Sequence, residues 1–449
     1  MPETVIRPQS DDLDSAQGAP SVHSERCSVL VIGGGPAGST TAALLAERGI
    51  DVLLLEKERH PRFHIGESLL PRNIPILRRL GLETRLEEIG VLKRGADFSV
   101  PDGSRHVVFN FCEALRPDEP TAFQVRRSEF DHMLIENAER IGARVFQETR
   151  LDDLEIRDDG VTARAVSRDG QAVIVDADWV VDATGRDSYL SRKLGLKKRD
   201  PRHASAAVFG HFDGVARRPG QEAGNISIYW FDQGWFWVIP LRDGCTSVGM
   251  VCYPRYLKDR GSSLEALFFE TVGKTPGLAE RMQAARARDG VQGTGNFSYR
   301  STRMSGERFL LVGDAYAFID PVFSSGVYLA MQGAEYAADA VESCLKDPKG
   351  EARYRRRYER RVKRGLRVFS WFIYRFTSPA FRTLFTRPTN RFSLRAAVIS
   401  VLSGDVYGRT VLWPRLMLFR AVYWVTSALL WRRGGVYRGR LEEHEAPFS

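Results

Sequence analysis

Apolar and polar positions near the start of the chain follow two different periods. Residues 29–32 and 51–55 are short apolar runs of the kind found in strands that are buried on both faces. Residues 40–48, between them, place alanine and leucine at helical spacing, and Gly49 follows as a residue that commonly ends a helix. The pattern predicts two parallel strands joined by a helix.

Strand patterns dominate the middle of the chain. Residues 151–178 predict a pair of hairpins with turns at 158–160 and 169–170, and residues 179–182 predict a buried strand. Alternation over residues 205–251 is typical of a larger antiparallel sheet. We therefore expect a second sheet besides the parallel one.

Helical spacing returns in the later part of the chain. Residues 264–272 and 279–287 predict helices, residues 309–312 predict another buried strand, and a long helix is expected to begin near Ser325.

Together these elements predict an α/β protein with four parts. A Rossmann-like dinucleotide-binding domain covers residues 26–200 and 300–350, and a β-sheet substrate domain covers residues 201–299. A helical region follows over residues 351–449, and the polar residues 1–25 are expected to form a disordered tail.

The composition of the chain limits the partners, metal sites and targeting signals that it can have. The chain has 449 residues, 43% of them hydrophobic, and a formal net charge of +9 at pH 7. This charge favours an acidic partner, and no nucleic-acid-binding motif accompanies it. The five cysteines lack the spacing of a metal site or a disulfide framework, so we expect no metal and a reducing cytoplasm. The first 25 residues resemble neither a signal peptide nor a membrane anchor.

Arginine and aromatic residues become frequent beyond about residue 351. The last apolar stretch, residues 412–431, is interrupted by Pro414, Arg415 and Arg420, so it is too polar for a spanning helix of about 20 apolar residues. We expect an amphipathic helix. Two interpretations stay open: a cap packed on the rest of the protein, or contact with an acidic carrier protein or a membrane surface.

A glycine loop follows the first strand. Gly33, Gly35 and Gly38 have GxGxxG spacing, which allows a tight turn, a close approach to a pyrophosphate and close packing of the helix. Glu56 ends the second strand, where an acid binds the ribose hydroxyls of an adenine dinucleotide. The loop and its context predict dinucleotide binding.

Two further segments have the chemistry of the same kind of ligand. A predicted strand ends in Ala183-Thr184-Gly185, whose small residues would let a nucleotide pass close to the backbone. Gly313 and Asp314 follow another strand, and Asp314 offers acceptors to a ribityl hydroxyl. The amides of Ser325 and Gly326 begin a long helix and would face an anion or a carbonyl. The glycine loop, the strand that ends at Gly185 and the segment from Gly313 to Gly326 are all explained by one extended ligand, FAD.

Other candidates have two interpretations each. Lys93 is either a solvated surface charge or a functional amine, and Arg127 either neutralises a pyrophosphate or pairs with Asp131 one helical turn away. Trp235 and Trp237 share one face of a strand, as core or as a wall. Glu67, in the loop at residues 63–71, either borders the cofactor or caps the next helix.

With these motifs the chain resembles the flavin-dependent halogenases, in the branch that acts on phenols and pyrroles. That family shares the fold of aromatic hydroxylases such as p-hydroxybenzoate hydroxylase. The segment Trp235-Phe-Trp-Val-Ile-Pro240 matches the WxWxIP motif of the halogenases, and residues 63–71 and 400–406 look like the same branch. The resemblance spans about residues 28–437.

The resemblance implies roles for individual residues. Lys93 would hold or carry the electrophilic halogen, as a cationic donor or as a chloramine, and Trp235 and Trp237 would separate flavin from substrate. The backbone of Ser325 and Gly326 would bind the halide. The residues expected to contact FAD are Gly33, Gly35, Ala37, Gly38, Glu56, Lys57, Gln124, Arg127, Thr184, Gly185, Gly313, Asp314, Pro321, Gly326 and Val327.

It also implies a reaction and partners. Reduced FAD, O2 and chloride or bromide would give hypohalous acid, which halogenates an electron-rich ring, either free or tethered to a carrier protein. Since no second GxGxxG unit is evident, reduced flavin would come from a separate NAD(P)H-dependent reductase. Phe323 stands where tryptophan halogenases carry a glutamate, which makes free tryptophan a poor candidate and leaves the general base unidentified.

Three alternatives compete with halogenation. An aromatic hydroxylase would use the same FAD signals but has no need of the tryptophan pair. A prenyl reductase of the geranylgeranyl reductase type would suit the amphipathic C-terminal region. A catalytically idle flavoprotein would bind a carrier protein or a membrane through that basic region.

Overall fold

The strand–helix–strand unit at the start of the chain forms the centre of the structure. The structure is a computed structural model that describes residues 23–99, 103–200, 204–295, 298–408 and 411–432. The strands of these residues are β1 (His23–Ile32), β2 (Val52–Leu55), β3 (Val91–Lys93), β4 (Gly95–Ser99), β5 (His106–Asn110), β6 (Ala122–Gln124), β7 (Arg144–Phe146), β8 (Thr149–Ile156), β9 (Val161–Ser167), β10 (Ala172–Asp182), β11 (Lys197–Arg199), β12 (Ala206–Asp213), β13 (Ile226–Phe231), β14 (Gly234–Pro240), β15 (Thr246–Cys252), β16 (Arg286–Ala287), β17 (Gln292–Gly295), β18 (Tyr299–Ser301), β19 (Ser305–Gly306), β20 (Phe309–Leu311) and β21 (Ala317–Phe318). The helices are α1 (Pro36–Glu47), α2 (Ile74–Arg79), α3 (Glu83–Ile89), α4 (Arg127–Ile141), α5 (Tyr189–Lys193), α6 (Pro254–Lys258), α7 (Leu264–Gly273), α8 (Pro276–Arg281), α9 (Ser325–Lys346), α10 (Glu351–Ile373), α11 (Pro379–Thr386), α12 (Leu394–Leu402) and α13 (Leu412–Arg432).

The main sheet has the strand order β19-β20-β10-β1-β2-β7, with β8 and β9 attached to β10. Its central strands are parallel, and α1 packs against α4 and α9 on the sheet. Because both faces of the central strands are covered, β2 is buried along its whole length. The predicted Rossmann-like unit and the hairpins with turns near 158–160 and 169–170 are confirmed.

The second sheet has the order β16-β12-β15-β14-β13-β4-β5, with β17 also on β12. All pairs are antiparallel except β13 with β4. Alternate residues of β14 belong to different cores: Trp235, Trp237 and Ile239 face the main core, whereas Phe236 and Val238 face a smaller one formed with α7 and α8. The predicted limits of 201–299 omit β4 and β5, because local alternation does not show which distant strand will pair.

Two predicted boundaries differ from the structure. Strand β1 begins at His23, so the predicted tail of residues 1–25 extends three residues too far, and residues 1–22 lie outside the described residues. The predicted helix at 279–287 ends at Arg281, because residues 286 and 287 pair with the edge of β12. Edge pairing here overrides the helical pattern.

Helices α10 to α13 form the C-terminal region up to residue 432, as predicted, and residues 433–449 lie outside the described part. Helix α10 packs on α9, and α13 packs on α11 and α12. No helix within the described ranges has both the length and the apolarity to cross a bilayer.

Candidate functional site

Two cavities meet at the carboxyl end of the main sheet. The glycine cavity is lined by the loop after β1, the end of β2 and the turn after β10. The tryptophan cavity is lined by Trp235 and Trp237 of β14 and by the start of α9. The residues that line both are His64, Arg127, Arg186, Asp314, Gly326 and Val327.

The glycine loop is shaped by contacts within the protein itself. Gly33 has a φ of +100°, and a Cβ there would lie 2.5 Å from the carbonyl oxygen of Ala183. A Cβ on Gly38 would lie 1.8 Å from the carbonyl oxygen of Gly33. Both positions therefore need glycine for the turn to form.

Gly35 is different, because nothing in the protein requires it. The nearest heavy atom to an added Cβ is an Arg62 nitrogen at 3.7 Å, and Gly35 lines the glycine cavity. Its φ of −76° is open to any residue. A glycine that leaves open space beside a cavity at a helix N-terminus is what close approach of a pyrophosphate needs.

Glu56 is buried and oriented at the end of β2. Its Oε2 accepts from the Gly34 N–H at 2.6 Å, and its Oε1 accepts from the Glu58 N–H at 2.8 Å. The carboxylate also lines the glycine cavity, where it is available to a ribose.

Two charged groups lie where the cavities join. Burial raises the pKa of Asp314 to about 6. Arg127 donates to both carboxylate oxygens of Asp131, at 2.7 and 2.8 Å, and to the carbonyl of Ile65 at 2.8 Å. The pairing of Arg127 with Asp131 is thus confirmed, and the guanidinium also borders both cavities.

The tryptophan pair forms one wall. The ring centroids of Trp235 and Trp237 are 6.0 Å apart, both indoles are buried, and Trp237 Nε1 donates to Ser247 Oγ at 3.1 Å. Facing this wall across the cavity is the start of α9, where Ser324 has a φ of +54° and Ser325 is buried. The N–H groups of the first turn of a helix lack intrahelical acceptors, so they suit an anion.

Gly249 allows this wall to pack. It lies opposite Trp237 on β15, and a Cβ there would be 2.1 Å from the indole ring. We expect Gly249→Ala to displace the indole and to lower the free energy of unfolding by about 1–3 kcal/mol. Urea unfolding and near-ultraviolet circular dichroism measure both effects, with Met250→Leu on the opposite face as the control. An unchanged spectrum would contradict the packing described.

Lys93 is buried, so its interpretation as a solvated surface charge is wrong. Its Nζ donates to Ser68 Oγ and to the Leu69 carbonyl, each at 2.9 Å, and lies 5.2 Å from the centre of the Phe111 ring. Burial lowers the pKa of Lys93 to about 7, and no carboxylate among the described residues offsets this. Lys93 does not line either cavity, but Ser68 lines the tryptophan cavity. One hydroxyl therefore separates the amine from the cavity.

Gln124 is not brought to either cavity. Its side chain is buried on β6, beside β3, and its amide donates to the Gly224 carbonyl at 3.0 Å. The expected contact of Gln124 with FAD has no support from this position, because the pairing of β3 with β6 directs the amide toward Gly224. Of the remaining expected contacts, Ala37, Lys57, Thr184 and Gly185 line the glycine cavity, Gly313 and Pro321 line the tryptophan cavity, and Val327 lines both.

Sequence patterns missed one pair of ionisable side chains. Glu67 lines the tryptophan cavity, and its Oε1 lies 2.6 Å from Nε2 of His211 on β12. Glu67 does not cap the next helix, since Asn73 accepts from the Leu70 N–H there. The two residues are 144 positions apart, so only the fold brings them together.

Other aromatic side chains also pack around Trp235. Phe376 lies edge-on to Trp235 with centroids 6.1 Å apart and is 5.1 Å from Trp230. Phe323 is buried in the same group, edge-on to Phe376 at 5.5 Å. The position that carries a glutamate in tryptophan halogenases therefore belongs to an apolar cluster here.

Comparisons with known proteins agree with this geometry. Residues 26–370 match the family described as an FAD binding domain. The 1H-pyrrole-2-carbonyl-(peptidyl-carrier protein) chlorinase of Pseudomonas fluorescens is 30% identical over 84% of this chain and 89% of its own length. The structure of the myxobacterial chondrochloren halogenase CndH, a FAD-dependent halogenase, matches with a TM-score of 0.75 and 33% identity over 85% of this chain and 90% of that one.

A flavoprotein/dehydrogenase from Cytophaga hutchinsonii has the same fold, with a TM-score of 0.82 and 26% identity over 90% of this chain and 99% of its own. The expected α/β flavoprotein fold and FAD cofactor are confirmed. By its family match and its halogenase relatives, the chain belongs to the flavin-dependent halogenases.

Proposed function

We propose that this protein uses hypohalous acid to halogenate an electron-rich phenolic or pyrrolic ring, which is either free or tethered to an acidic carrier protein. The observation that supports this most directly is the position of Lys93. It is a buried amine, one hydroxyl away from a cavity that is walled by two indoles. A hydroxylase has no use for such an amine.

The cleft suits FAD in its chemistry. The glycine loop and the start of α1 would hold the pyrophosphate, Glu56 the ribose and Asp314 the ribityl chain, and the flavin ring would lie in the tryptophan cavity. The open space beside Gly35 and Gly326, where an added Cβ meets nothing closer than 3.7 Å, supports this placement. When bound and reduced, FAD supplies the electrons with which dioxygen and halide form hypohalous acid.

The protein's own residues then control where the oxidant goes. The amides of Ser325 and Gly326 bind chloride or bromide, and Trp235 and Trp237 keep the organic ring out of the cavity. Hypohalous acid passes Ser68 and accepts a hydrogen bond from the Lys93 ammonium, which polarises the oxygen–halogen bond. The ring takes the halogen and loses a proton, and the remaining hydroxide and that proton give water.

Tethering to a carrier protein is supported by one relative. The Pseudomonas chlorinase acts, by its name, on a pyrrole carried by a peptidyl carrier protein. The basic C-terminal region of this chain suits an acidic carrier domain. We also propose a separate reductase as the source of reduced flavin.

The test combines the purified protein with FAD, a flavin reductase, NADH and either chloride or bromide. Phenols, pyrroles, tryptophan and carrier-tethered aroyl groups are offered as substrates, and products are identified by mass spectrometry. We expect a halogen isotope pattern on a phenol or a pyrrole. Oxygenated product without halogen would instead support a hydroxylase.

The pH dependence of the reaction distinguishes the two roles of Lys93. Since burial lowers the pKa of Lys93 to about 7, the ammonium is lost as the pH rises through that value. We expect the ratio of halogenated product to dioxygen consumed to fall between about pH 6 and pH 8. The ratio removes the pH dependence of flavin oxidation itself. A ratio that rises over this range would indicate a neutral amine that forms a chloramine.

A further inference from the structure

Helix α13 has apolar side chains on two opposite faces, so the expectation of an amphipathic helix here is wrong. The inner face packs on the protein through Leu412, Leu416, Phe419 and Tyr423, with Phe419 stacked on Phe372 at 5.5 Å between centroids. The cap interpretation of this region is therefore confirmed for the inner face. The outer stripe consists of six large apolar residues that are 38–72% exposed, namely Met417, Leu418, Trp424, Val425, Leu429 and Trp431.

The outer stripe is continuous along the helix. Met417, Trp424 and Trp431 are seven residues apart, and Leu418, Val425 and Leu429 follow at spacings of seven and four, so the six side chains share one side of the helix over about 21 Å of its length of about 30 Å. Trp424 and Trp431 are 51% and 72% exposed, and tryptophan favours the boundary between an apolar phase and water. A continuous exposed stripe of this size marks an interaction surface.

Charge around the stripe is strongly positive. Residues 351–432 contain 18 arginines and lysines but only three acidic residues, while residues 1–350 contain 44 basic and 50 acidic residues. No acidic residue occurs in α13, and Arg420 and Arg432 lie within it. Arg375 stacks over the Trp424 ring at 5.3 Å, so a cation sits directly at the border of the stripe.

The apolar stripe and the positive charge around it favour one kind of binding partner over the others. A second copy of the chain would bring an equally basic region against this one, which opposes dimerisation through the stripe. The six residues of the outer stripe are uncharged, so an acidic protein would form ion pairs only with the arginines at the border of the contact and would leave the stripe itself without a matching surface. A lipid surface meets both conditions, with apolar chains for the stripe and phosphates for the surrounding arginines.

We propose that α13 binds to the surface of an anionic bilayer, with the outer stripe in the boundary of the acyl chains and the arginines at the level of the phosphates. The helix lies on the membrane and does not cross it, because its arginines leave it too polar for a span even though 21 residues would be long enough. This proposal goes beyond halogenation and does not depend on it, because lipid binding is measured without turnover.

The test is sedimentation of the full FAD-loaded chain with vesicles of phosphatidylcholine alone or mixed with phosphatidylglycerol. We expect binding to the anionic vesicles to be at least about tenfold tighter, to weaken with salt and to shift tryptophan emission to the blue. The double variant Trp424→Glu/Leu429→Glu should bind at least about tenfold more weakly. If that variant misfolds, the milder double variant Val425→Ser/Trp431→Ser takes its place and should also bind the anionic vesicles more weakly than the wild type.

Leu194→Glu is the matched control, because Leu194 is an exposed leucine outside the C-terminal region. It should bind vesicles like the wild type. The proposal is overturned if the wild-type chain does not sediment with anionic vesicles, or if folded stripe variants bind as well as the wild type does. It is also overturned if the wild type forms concentration-dependent dimers that the stripe variants lose, since the stripe would then join two copies.

Discussion

Lys93→Met is expected to lower the yield of halogenated product by about 10²- to 10³-fold, the usual cost of removing one preorganised hydrogen-bond donor from a reacting group. Methionine keeps most of the side-chain volume but has no donor to offer hypohalous acid. Because Lys93 lines neither cavity, the affinity for FAD should be unchanged. Product analysis by mass spectrometry and a fluorescence titration with FAD measure the two effects separately.

The control is Lys274→Met, which removes an exposed lysine that pairs with Glu270 and lines neither cavity. It should retain the wild-type yield. If Lys93→Met also retains it, the role proposed for this amine fails, although the assignment of FAD to the cleft would stand. If Lys93→Met loses FAD, the substitution has disturbed the fold around Ser68 and Lys93→Gln is the variant to compare.

Stability gives an independent check on the burial of Lys93. Its pKa falls from 10.5 to about 7 on folding, so the unfolded state binds more protons between these values. The contribution of Lys93 to the free energy of unfolding therefore rises as the pH increases from about 7 to about 10. Lys93→Met lacks this rise and should be the more stable protein at neutral pH, which urea unfolding at both ends of the range would show.

Gly35→Ala is expected to weaken FAD binding by about 10- to 100-fold, the equivalent of an overpacking cost of about 1–3 kcal/mol, without changing the stability of the cofactor-free protein. The added methyl meets no protein atom closer than 3.7 Å but projects into the space that a pyrophosphate needs. A fluorescence titration with FAD and thermal unfolding of the cofactor-free protein separate the two effects.

Two other glycines complete this experiment. Gly273→Ala, at the end of α7, also adds a methyl in open space but lies outside both cavities, so it should bind FAD normally. Gly38→Ala should destabilise the protein even without cofactor, because its methyl would lie 1.8 Å from the Gly33 carbonyl oxygen. An unchanged affinity in Gly35→Ala would mean that the pyrophosphate lies elsewhere.

Local patterns in the sequence predicted the parts of the site that are local in the chain. The glycine loop, the acid at Glu56 and the alternation that puts Trp235 and Trp237 on one face are each set within a few dozen residues, and the structure has them as expected. These features depend on backbone geometry and side-chain period, which a single sequence displays.

The remaining features depend on contacts between distant segments. The burial of Lys93 results from its position between the loop at Ser68 and Leu69 and the ring of Phe111. The Glu67–His211 pair also joins segments that lie far apart in the chain. Such contacts change the environment of a side chain without changing the pattern around it, so the sequence alone left Lys93 between two interpretations.

The entry of β4 into the sheet of the tryptophan strand limits how this site can change. Lys93 lies two residues before β4, which pairs with β13, and β13 pairs with the strand that carries Trp235 and Trp237. Two strand spacings, about 10 Å in total, therefore set the backbone separation between β4 and the tryptophan strand. Side-chain replacements can reshape the tryptophan cavity while this separation persists, since altering the separation would require a strand to be added or removed.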